Sequence, residues 1–315
     1  MSHISLPPMQ QYLSRSIASI NQNKLYGIIA EIDLRKTLHD LGYSNRISPG
    51  GWIVRNLGNG VFGHQTSVFF PETIIPGREF PSGGKIDEPP RGLHTICATM
   101  HQIGIQSYYC VPTVDADDDT SSVRWWATQL GIPSSDSYHD FPDHFRSYGF
   151  RPKPYNFLRY ASDSSQIPAS AVPEQFSKEH IRIAFQNRIM CEMSDIDAIF
   201  WGQQYTYPIE IKEKTAADDR RMGPYFGLDV GPFVKLAFYA AKRGNLHSLF
   251  IVREIDNTTE RNLVNWWFIP FEKLARFASW VPVSGGMNMR GGGSSVIKVP
   301  KSEFLPMNKA NLDLL

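Results

Sequence analysis

Two carboxylates and a lysine occur at a spacing that can bring them to one face of a β-hairpin. Asp197 ends a short apolar alternation, and Glu210 and Lys212 stand two positions apart in the β-branched run of residues 207–212. Alternate residues of a strand point to the same face, so Glu210 and Lys212 project together. A turn at residues 202–204 would fold the first segment back onto the second. The sequence therefore predicts that the three charged groups converge on one sheet face.

Carboxylates held close together repel each other and are commonly stabilised by a cation. Oxygen ligands with open positions suit Mg²⁺, which keeps several waters and takes one or two protein carboxylates. Such a metal lowers the pKa of bound water and offsets negative charge on phosphorus, while a neighbouring lysine positions water or stabilises a phosphate. Asp197, Glu210 and Lys212 are thus chemically sufficient for phosphodiester hydrolysis with Mg²⁺, with Mn²⁺ as a substitute.

The same pattern has a purely structural alternative. Charged residues that alternate with isoleucine are common on edge strands, where Glu210 and Lys212 would simply face solvent. A Glu-x-Lys pattern alone matches many unrelated strands. The preceding apolar alternation, its terminal Asp197 and the intervening turn favour the metal site.

At these residues the chain resembles the PD-(D/E)XK nuclease superfamily, which includes many restriction endonucleases and the archaeal Holliday junction resolvases. In that family an Asp ends one core strand and the Glu-x-Lys lies on the next, and Asp197, Glu210 and Lys212 match by type and order. Ile196 stands where the family motif has its proline. The resemblance covers about Glu174 to Ile255. It implies a mixed sheet flanked by helices, Mg²⁺ dependence and nucleic-acid cleavage.

The resemblance also implies a role for each residue. Asp197 and Glu210 would ligate the metal with the main-chain carbonyl of Ile211, and Lys212 would position the attacking water or stabilise the transition state. Family members often carry a further acid on a helix before the first core strand. Glu179 is the first candidate, and its alternative is a favourable charge at a helix N-terminus. Three other acids are candidates for this role: Glu174, Glu192 and Asp195.

The elements around the hairpin are predicted in the order helix, strand, strand, helix, strand, as the family core requires. Ser177 is expected to cap a helix from Lys178 to about Met190, with apolar residues at three- and four-residue steps. A second helix is predicted over residues 231–244, with proline near its start and glycine at its end. The apolar run of residues 248–255 predicts a strand buried on both faces.

The first half of the chain is predicted to be a separate region. Residues 1–165 are expected to form an α+β accessory or DNA-recognition region, and residues 166–315 the nuclease-like core, because the stretch of residues 162–173 has the composition of a linker. The predicted fold is α/β, with a restriction-endonuclease-like mixed sheet flanked by helices and an additional N-terminal α+β region. Helices are predicted over residues 25–36, 92–102 and 123–130, and strands over residues 52–55, 66–70 and 105–114.

Six basic residues are candidates for contact with a nucleic-acid backbone. Residues 148–155 interleave aromatic and basic side chains, a composition that suits phosphate contact and base stacking. The glycine-rich loop of residues 284–293 can approach another backbone closely. For both segments the alternative is a solvated surface loop. The candidates are Lys214, Arg220, Arg221, Arg151, Lys153 and Arg290.

Composition narrows the class of protein. The 315 residues carry 32 Lys and Arg against 31 Asp and Glu, a formal net charge of +1, which lacks the basic excess of a protein that coats nucleic acid. No apolar run is long enough for a transmembrane helix, and no secretory signal is recognised. Three cysteines fit a reducing compartment better than a disulfide framework. We therefore expect a cytoplasmic protein with no membrane partner.

Four soft ligands raise the question of zinc. His94, Cys97 and His101 fall on one face of a predicted helix, and Cys110 lies on the next strand. Such a set can bind Zn²⁺ tetrahedrally. The spacing matches no compact zinc module, and the apolar residues between the ligands favour a packed core instead.

Together with the resemblance to PD-(D/E)XK nucleases, these observations predict a Mg²⁺-dependent endonuclease that hydrolyses double-stranded DNA. A type II restriction endonuclease is the first expectation, because no phosphate-binding loop for ATP is present. A resolvase-like or repair nuclease acting on branched or damaged DNA is the alternative, and homodimers are common to both. From another class, a non-catalytic nucleic-acid-binding protein could retain the fold.

Overall fold

The computed structural model describes residues 1–18, 22–55, 66–80, 94–129, 138–145, 149–151, 155–157, 163–190, 192–242, 244–284 and 295–315. The chain forms two compact units. The first comprises Met1–Ile29 and Gly50–Asp195, and the second comprises Ala30–Pro49 and Ile196–Leu315. Both contain helices and strands, so the protein is mixed α/β. None of the helices in the described ranges has both the length and the apolar character of a membrane span.

The elements of the described residues are as follows. The helices are α1 (Leu6–Ala18), α2 (Gln22–Asp40), α3 (His94–Gln102), α4 (Phe141–His144), α5 (Val172–Gln186), α6 (Val230–Ala240), α7 (Phe271–Phe277) and α8 (Lys309–Leu312). The strands are β1 (Ile47–Arg55), β2 (Thr66–Pro71), β3 (Gln106–Val114), β4 (Val123–Thr128), β5 (His139–Asp140), β6 (Gly149–Phe150), β7 (Ile189–Met190), β8 (Glu192–Trp201), β9 (Thr206–Lys214), β10 (Ala217–Asp219), β11 (Gly223–Asp229), β12 (Leu249–Ile255), β13 (Leu263–Pro270), β14 (Val283–Ser284), β15 (Ser295–Pro300) and β16 (Leu305–Pro306).

The first unit is built around strands in the order β1-β2-β3-β4-β5. Strand β2 runs parallel to β3, whereas the other neighbours pair antiparallel. Helix α5 contacts α1 and β2. Aromatic side chains fill the interior, and the rings of Phe69, Phe141 and Phe185 are buried against one another.

The second unit contains a mixed sheet with strand order β16-β13-β12-β9-β8. Strand β9 runs parallel to β12, and the hairpin β8–β9 is antiparallel, as predicted. Parallel neighbours need a crossover connection, and α6, which contacts β9, lies in it. A smaller sheet has the order β10-β11-β15-β14.

Helices cover both faces of this mixed sheet. On one face Leu34 and Leu38 of α2 pack with Ile209 and Ile211 of β9. On the opposite face α6 and α7 cover Phe250 of β12. Because β12 contributes alternate residues to the two clusters, it reads as an unbroken apolar run, and the predicted two-sided burial is confirmed. The expected mixed sheet flanked by helices is present.

The predicted helix from Lys178 to Met190 is wrong at both ends. Helix α5 begins at Val172 with a proline in its first turn, where the missing proline N–H has no helical partner to lose. Ser177 therefore lies inside the helix and caps nothing. Its hydroxyl donates to the carbonyl of Pro173 (3.0 Å) and accepts the N–H of Ile74 (2.8 Å).

The helix predicted over residues 123–130 is also wrong. Residues Val123–Thr128 form strand β4, which pairs antiparallel with β3. Val123, Trp125 and Ala127 are buried, which is the two-residue period of a strand. The aromatic and β-branched content of the segment outweighed the helical spacing.

Candidate metal centre

Asp197 is fixed where the β8–β9 ladder stops. The last paired residues at this end are Ala198 and Ile209. One residue earlier, the Asp197 carboxylate accepts the main-chain N–H of Ile211 at 2.6 Å, so a side chain replaces the next ladder bond. Only 6% of Asp197 is exposed. The spacing in the sequence predicted this proximity to the Glu-Ile-Lys segment.

Glu210 lies between two lysines. Strand alternation sends its neighbours Ile209 and Ile211 into the core on the other face, as expected. Glu210 itself is 1% exposed. Its Oε1 lies 2.7 Å from the ammonium of Lys212, and its Oε2 is ion-paired with Lys235 of α6. We call Glu210, Lys212 and Lys235 the Glu210 cluster.

Two further carboxylates converge on that of Asp197. One carboxylate oxygen from each of Glu31, Asp195 and Asp197 lies within 4.8 Å of the other two. Glu31 comes from α2 and is 8% exposed, and Asp195 precedes Asp197 by two residues on the continuous strand β8. We call these residues the acidic triad. Asp195 shares the face of Asp197 because alternate residues of a strand point the same way.

The donor set of the acidic triad fits a hard divalent cation. Its ligands are carboxylate oxygens only, which suit Mg²⁺ or Mn²⁺ rather than zinc. Glu31 and Asp197 are buried and Asp195 is partly buried. Carboxylates this close together with so little exposure repel each other, and a cation would relieve that repulsion. Within the described ranges no second group of three acidic, histidine or cysteine side chains converges in this way.

The soft ligands considered for zinc have a different environment. Cys97 and Cys110 are both buried. Burial raises the pKa of each thiol, which opposes the thiolate form that zinc requires. The side chain of His94 lies outside the described part of the chain. These features agree with the packed-core interpretation.

Glu179, the first candidate for the additional acid, belongs to another cluster. It lies in the first unit and pairs with Lys24 (2.8 Å) and with Arg182. Burial raises the pKa of Glu179, but attraction to Lys24 and Arg182 outweighs burial and lowers it to about 2. We call these three residues the Glu179 cluster. The helix acid found in the acidic triad is instead Glu31.

The remaining acid and ligand candidates are placed as follows. Glu174 lies in the first turn of α5. Glu192 begins β8, and its side chain lies outside the described part. Ile211 contacts Asp197 through its N–H, and ligation of a metal by its carbonyl stays a prediction.

The basic candidates are spread over the chain. Lys214 is the last residue of β9. Its pKa is lowered, chiefly by burial; the charge of Asp229 opposes this shift and that of Lys212 adds to it. Arg220 and Arg221 are exposed beyond β10. Arg151 lies in the first unit, where its N–H donates to the carbonyl of residue 188. Two candidates fall outside the described residues: Lys153 and Arg290.

Two residues of the centre were missed from the sequence. Glu31 falls on the stripe formed by Ile28, Leu34 and Leu38, so an acid inside the buried face of a predicted helix was the available signal. Lys235 interrupts an otherwise uncharged helix, α6, in the same way. Both signals are charges at positions where periodicity predicts burial.

Comparison with known proteins adds no relative: no protein-family model, no curated protein and no solved structure matches this chain.

Proposed function

We propose that the protein is a Mg²⁺-dependent endonuclease that hydrolyses double-stranded DNA. The observation that carries the proposal is the meeting, on one hairpin, of buried Asp197 with the Glu210–Lys212 pair, next to the acidic triad. Residues of these types in this order also carry the resemblance to PD-(D/E)XK nucleases. A type II restriction endonuclease acting as a homodimer is the first form of the proposal.

Each residue has a distinct task in the proposed reaction. Asp197 and Glu210, together with Glu31, would supply metal ligands, and the N–H of Ile211 holds the Asp197 carboxylate in orientation. A bound divalent cation would activate water and offset charge on the phosphate. Lys212 has the only ammonium of the Glu210 cluster with substantial exposure, 33% of its side chain, and can turn toward a phosphate or the attacking water.

The geometry suits phosphodiester chemistry better than a solvated strand face. On an exposed edge strand Glu210 would be hydrated, whereas here its side chain is 2% exposed and held by two cations. Burying several carboxylates together is costly unless a function or a counter-ion compensates. Clusters of buried ionisable groups of this kind are concentrated at functional sites.

The direct test is incubation of the full chain with long duplex DNA in Mg²⁺ or EDTA, followed by sequencing of fragment ends. We expect discrete ends with Mg²⁺ and none with EDTA, and loss of these ends in Asp197→Asn. Asp256→Asn is the matched control. Asp256 follows β12 and lies roughly 20 Å along that strand from Phe250, the residue paired with Glu210. Its carboxylate accepts the N–H of Asn262 in a turn and is remote from the site.

The other outcomes separate the alternatives. Cleavage confined to branched or damaged duplex would replace restriction by structure-specific processing. DNA binding without cleavage in Mg²⁺ or Mn²⁺ would indicate the non-catalytic nucleic-acid-binding protein. An Asp197→Asn protein as active as the parent would refute the assignment of the site.

A further inference from the structure

Lys235 is a charged residue in an apolar setting. It is the only charged residue of α6, and it stands beside buried Leu236 on a helix that covers the sheet. Only 10% of its side chain is exposed. A lysine this buried is unfavourable unless a partner compensates its charge. Oε2 of Glu210 is such a partner, and it forms an ion pair with the Lys235 ammonium.

The two lysines of the Glu210 cluster differ in exposure to solvent, and therefore in the cost of moving away from Glu210. Lys212 holds Oε1 of Glu210 at 2.7 Å from a strand position with 33% of its side chain exposed. Lys235 holds the other oxygen from an almost closed position. Lys212 can therefore turn away to another anion at modest cost, whereas withdrawal of Lys235 would leave a buried carboxylate and a buried ammonium apart.

The charges of the centre point to the same division. Counted by formal charge, Glu210 and the acidic triad contribute four negative charges, and Lys212 and Lys235 contribute two positive charges. These six groups by themselves therefore sum to −2, a charge that one divalent cation would offset. If Lys212 turns to a phosphate, Lys235 is the cation of this set that stays with Glu210.

We infer that Lys235 is a positioning residue that holds Glu210 as a buried carboxylate in the metal-free protein, and that a bound divalent cation can take over its charge. This inference rests on the proposed metal centre and deepens it. The two lysines then have separate roles: Lys235 is the fixed counter-ion, and Lys212 is the group released for the reaction.

The test is thermal unfolding and calorimetric Mn²⁺ titration of the full chain at pH 8, in parallel for three variants. Lys235→Met should lower Tm in EDTA by roughly 5–10 °C, because it breaks a buried pair. Mn²⁺ should restore most of this loss, and the variant should bind Mn²⁺ about tenfold tighter than the parent because a competing positive charge is gone. Lys235→Arg, which keeps the charge, should behave like the parent.

Lys301→Met is the matched structural control. Lys301 is paired with Glu254, whose side chain is 7% exposed, so this variant also breaks a lysine–glutamate pair in the second unit. It should lower Tm in EDTA without any change in Mn²⁺ affinity. Only a lysine that shares its partner with the metal should alter both quantities.

The outcomes separate the inference from the proposed function. A parent protein that binds Mn²⁺, with a Lys235→Met variant that binds it equally or more weakly, overturns the role of Lys235 alone. A variant that stays unfolded with Mn²⁺ as well as without it also overturns that role. Absence of Mn²⁺ binding in both proteins overturns the metal centre and the inference together.

Discussion

Each unit buries a glutamate between two cationic side chains, and the two clusters differ in what surrounds them. In the Glu179 cluster one carboxylate faces Lys24 and Arg182, so positive charge is already in excess. Aromatic rings close the site, with the Lys24 ammonium 5.4 Å from the Trp52 ring centroid and the Arg182 guanidinium 5.4 Å from that of Tyr155. Among the described residues, Glu179 is not part of a group of three convergent acidic side chains.

The Glu210 cluster has the opposite balance. Its two lysines are accompanied by Glu210 and by the acidic triad next to Asp197. Both glutamates are buried and paired with two cations, but only Glu210 lies on the hairpin that carries Asp197 and the acidic triad. Burial and pairing with cations are common to both glutamates, so the acidic side chains nearby, rather than these two features, distinguish a candidate metal ligand from a structural ion pair.

The largest expected effect is the loss of DNA cleavage when Lys212, the lysine proposed to be released for the reaction, is replaced. Lys212→Met should reduce DNA cleavage by roughly 10²- to 10⁴-fold, the range attributed to a positioned proton-transfer group. The Tm of the Lys212→Met protein should change little, because Lys235 still holds Glu210. Initial cleavage rates at saturating Mg²⁺ measure the effect, with Lys301→Met as control. Equal loss of activity in both variants would show that stability, rather than chemistry, had been changed.

The next effect concerns the Glu179 cluster. Glu179→Gln leaves Lys24 and Arg182 without their shared carboxylate and should destabilise the protein by about 3–5 kcal/mol. Urea unfolding followed by tryptophan fluorescence would measure this loss. Mn²⁺ affinity should be unchanged. A large fall in that affinity would restore Glu179 as the additional acid of the metal centre.

Glu31→Gln should have the complementary result. Removal of one carboxylate from the acidic triad should weaken Mn²⁺ binding by about tenfold or more, since a charged ligand is lost from a site of low exposure. Stability in EDTA should be equal or higher, because the repulsion with Asp195 and Asp197 decreases. Calorimetric titration gives the affinity. Unaltered binding would exclude Glu31 as a ligand.

The smallest effect is the pH dependence of the Glu179 cluster. The folded pKa of Glu179 is about 2, below its ordinary value of 4.5. Stability from this group is therefore present above pH 4.5 and is lost as the pH falls toward 2, on the order of 1 kcal/mol by pH 4. Urea midpoints at pH 7 and pH 4 should differ less in Glu179→Gln than in the parent. Equal differences would contradict the lowered pKa.

The hairpin was predictable because its information is local. Period-two alternation around Glu210 and a turn of suitable length determine both the strand and the face, and the structure follows them. The boundaries of α5 were not predictable from local sequence, because Pro173 fits the first turn of a helix as well as it fits a linker. Proline in that stretch was interpreted as the end of a region.

Glu31 and Lys235 were out of reach for a different reason. Their proximity to the hairpin depends on how α2 and α6 pack on the two faces of the sheet. Helical periodicity indicates that a residue is buried, but it does not identify the strand that the residue meets. A choice between Glu179 and Glu31 required the tertiary structure.

The second unit is made from two stretches of chain, Ala30–Pro49 and Ile196–Leu315, and this has a consequence for the order of its assembly. Its core joins Ala30 to Leu312. The ribosome synthesises α2 long before the strands on which α2 packs, so Glu31 cannot meet Asp197 until β8 has been made. The entropy of closing such a loop grows only slowly with its length. The separation in sequence therefore delays assembly of the second unit but costs little free energy of folding. Until the later strands are made, a nascent chain carries Glu31 without the rest of the proposed centre.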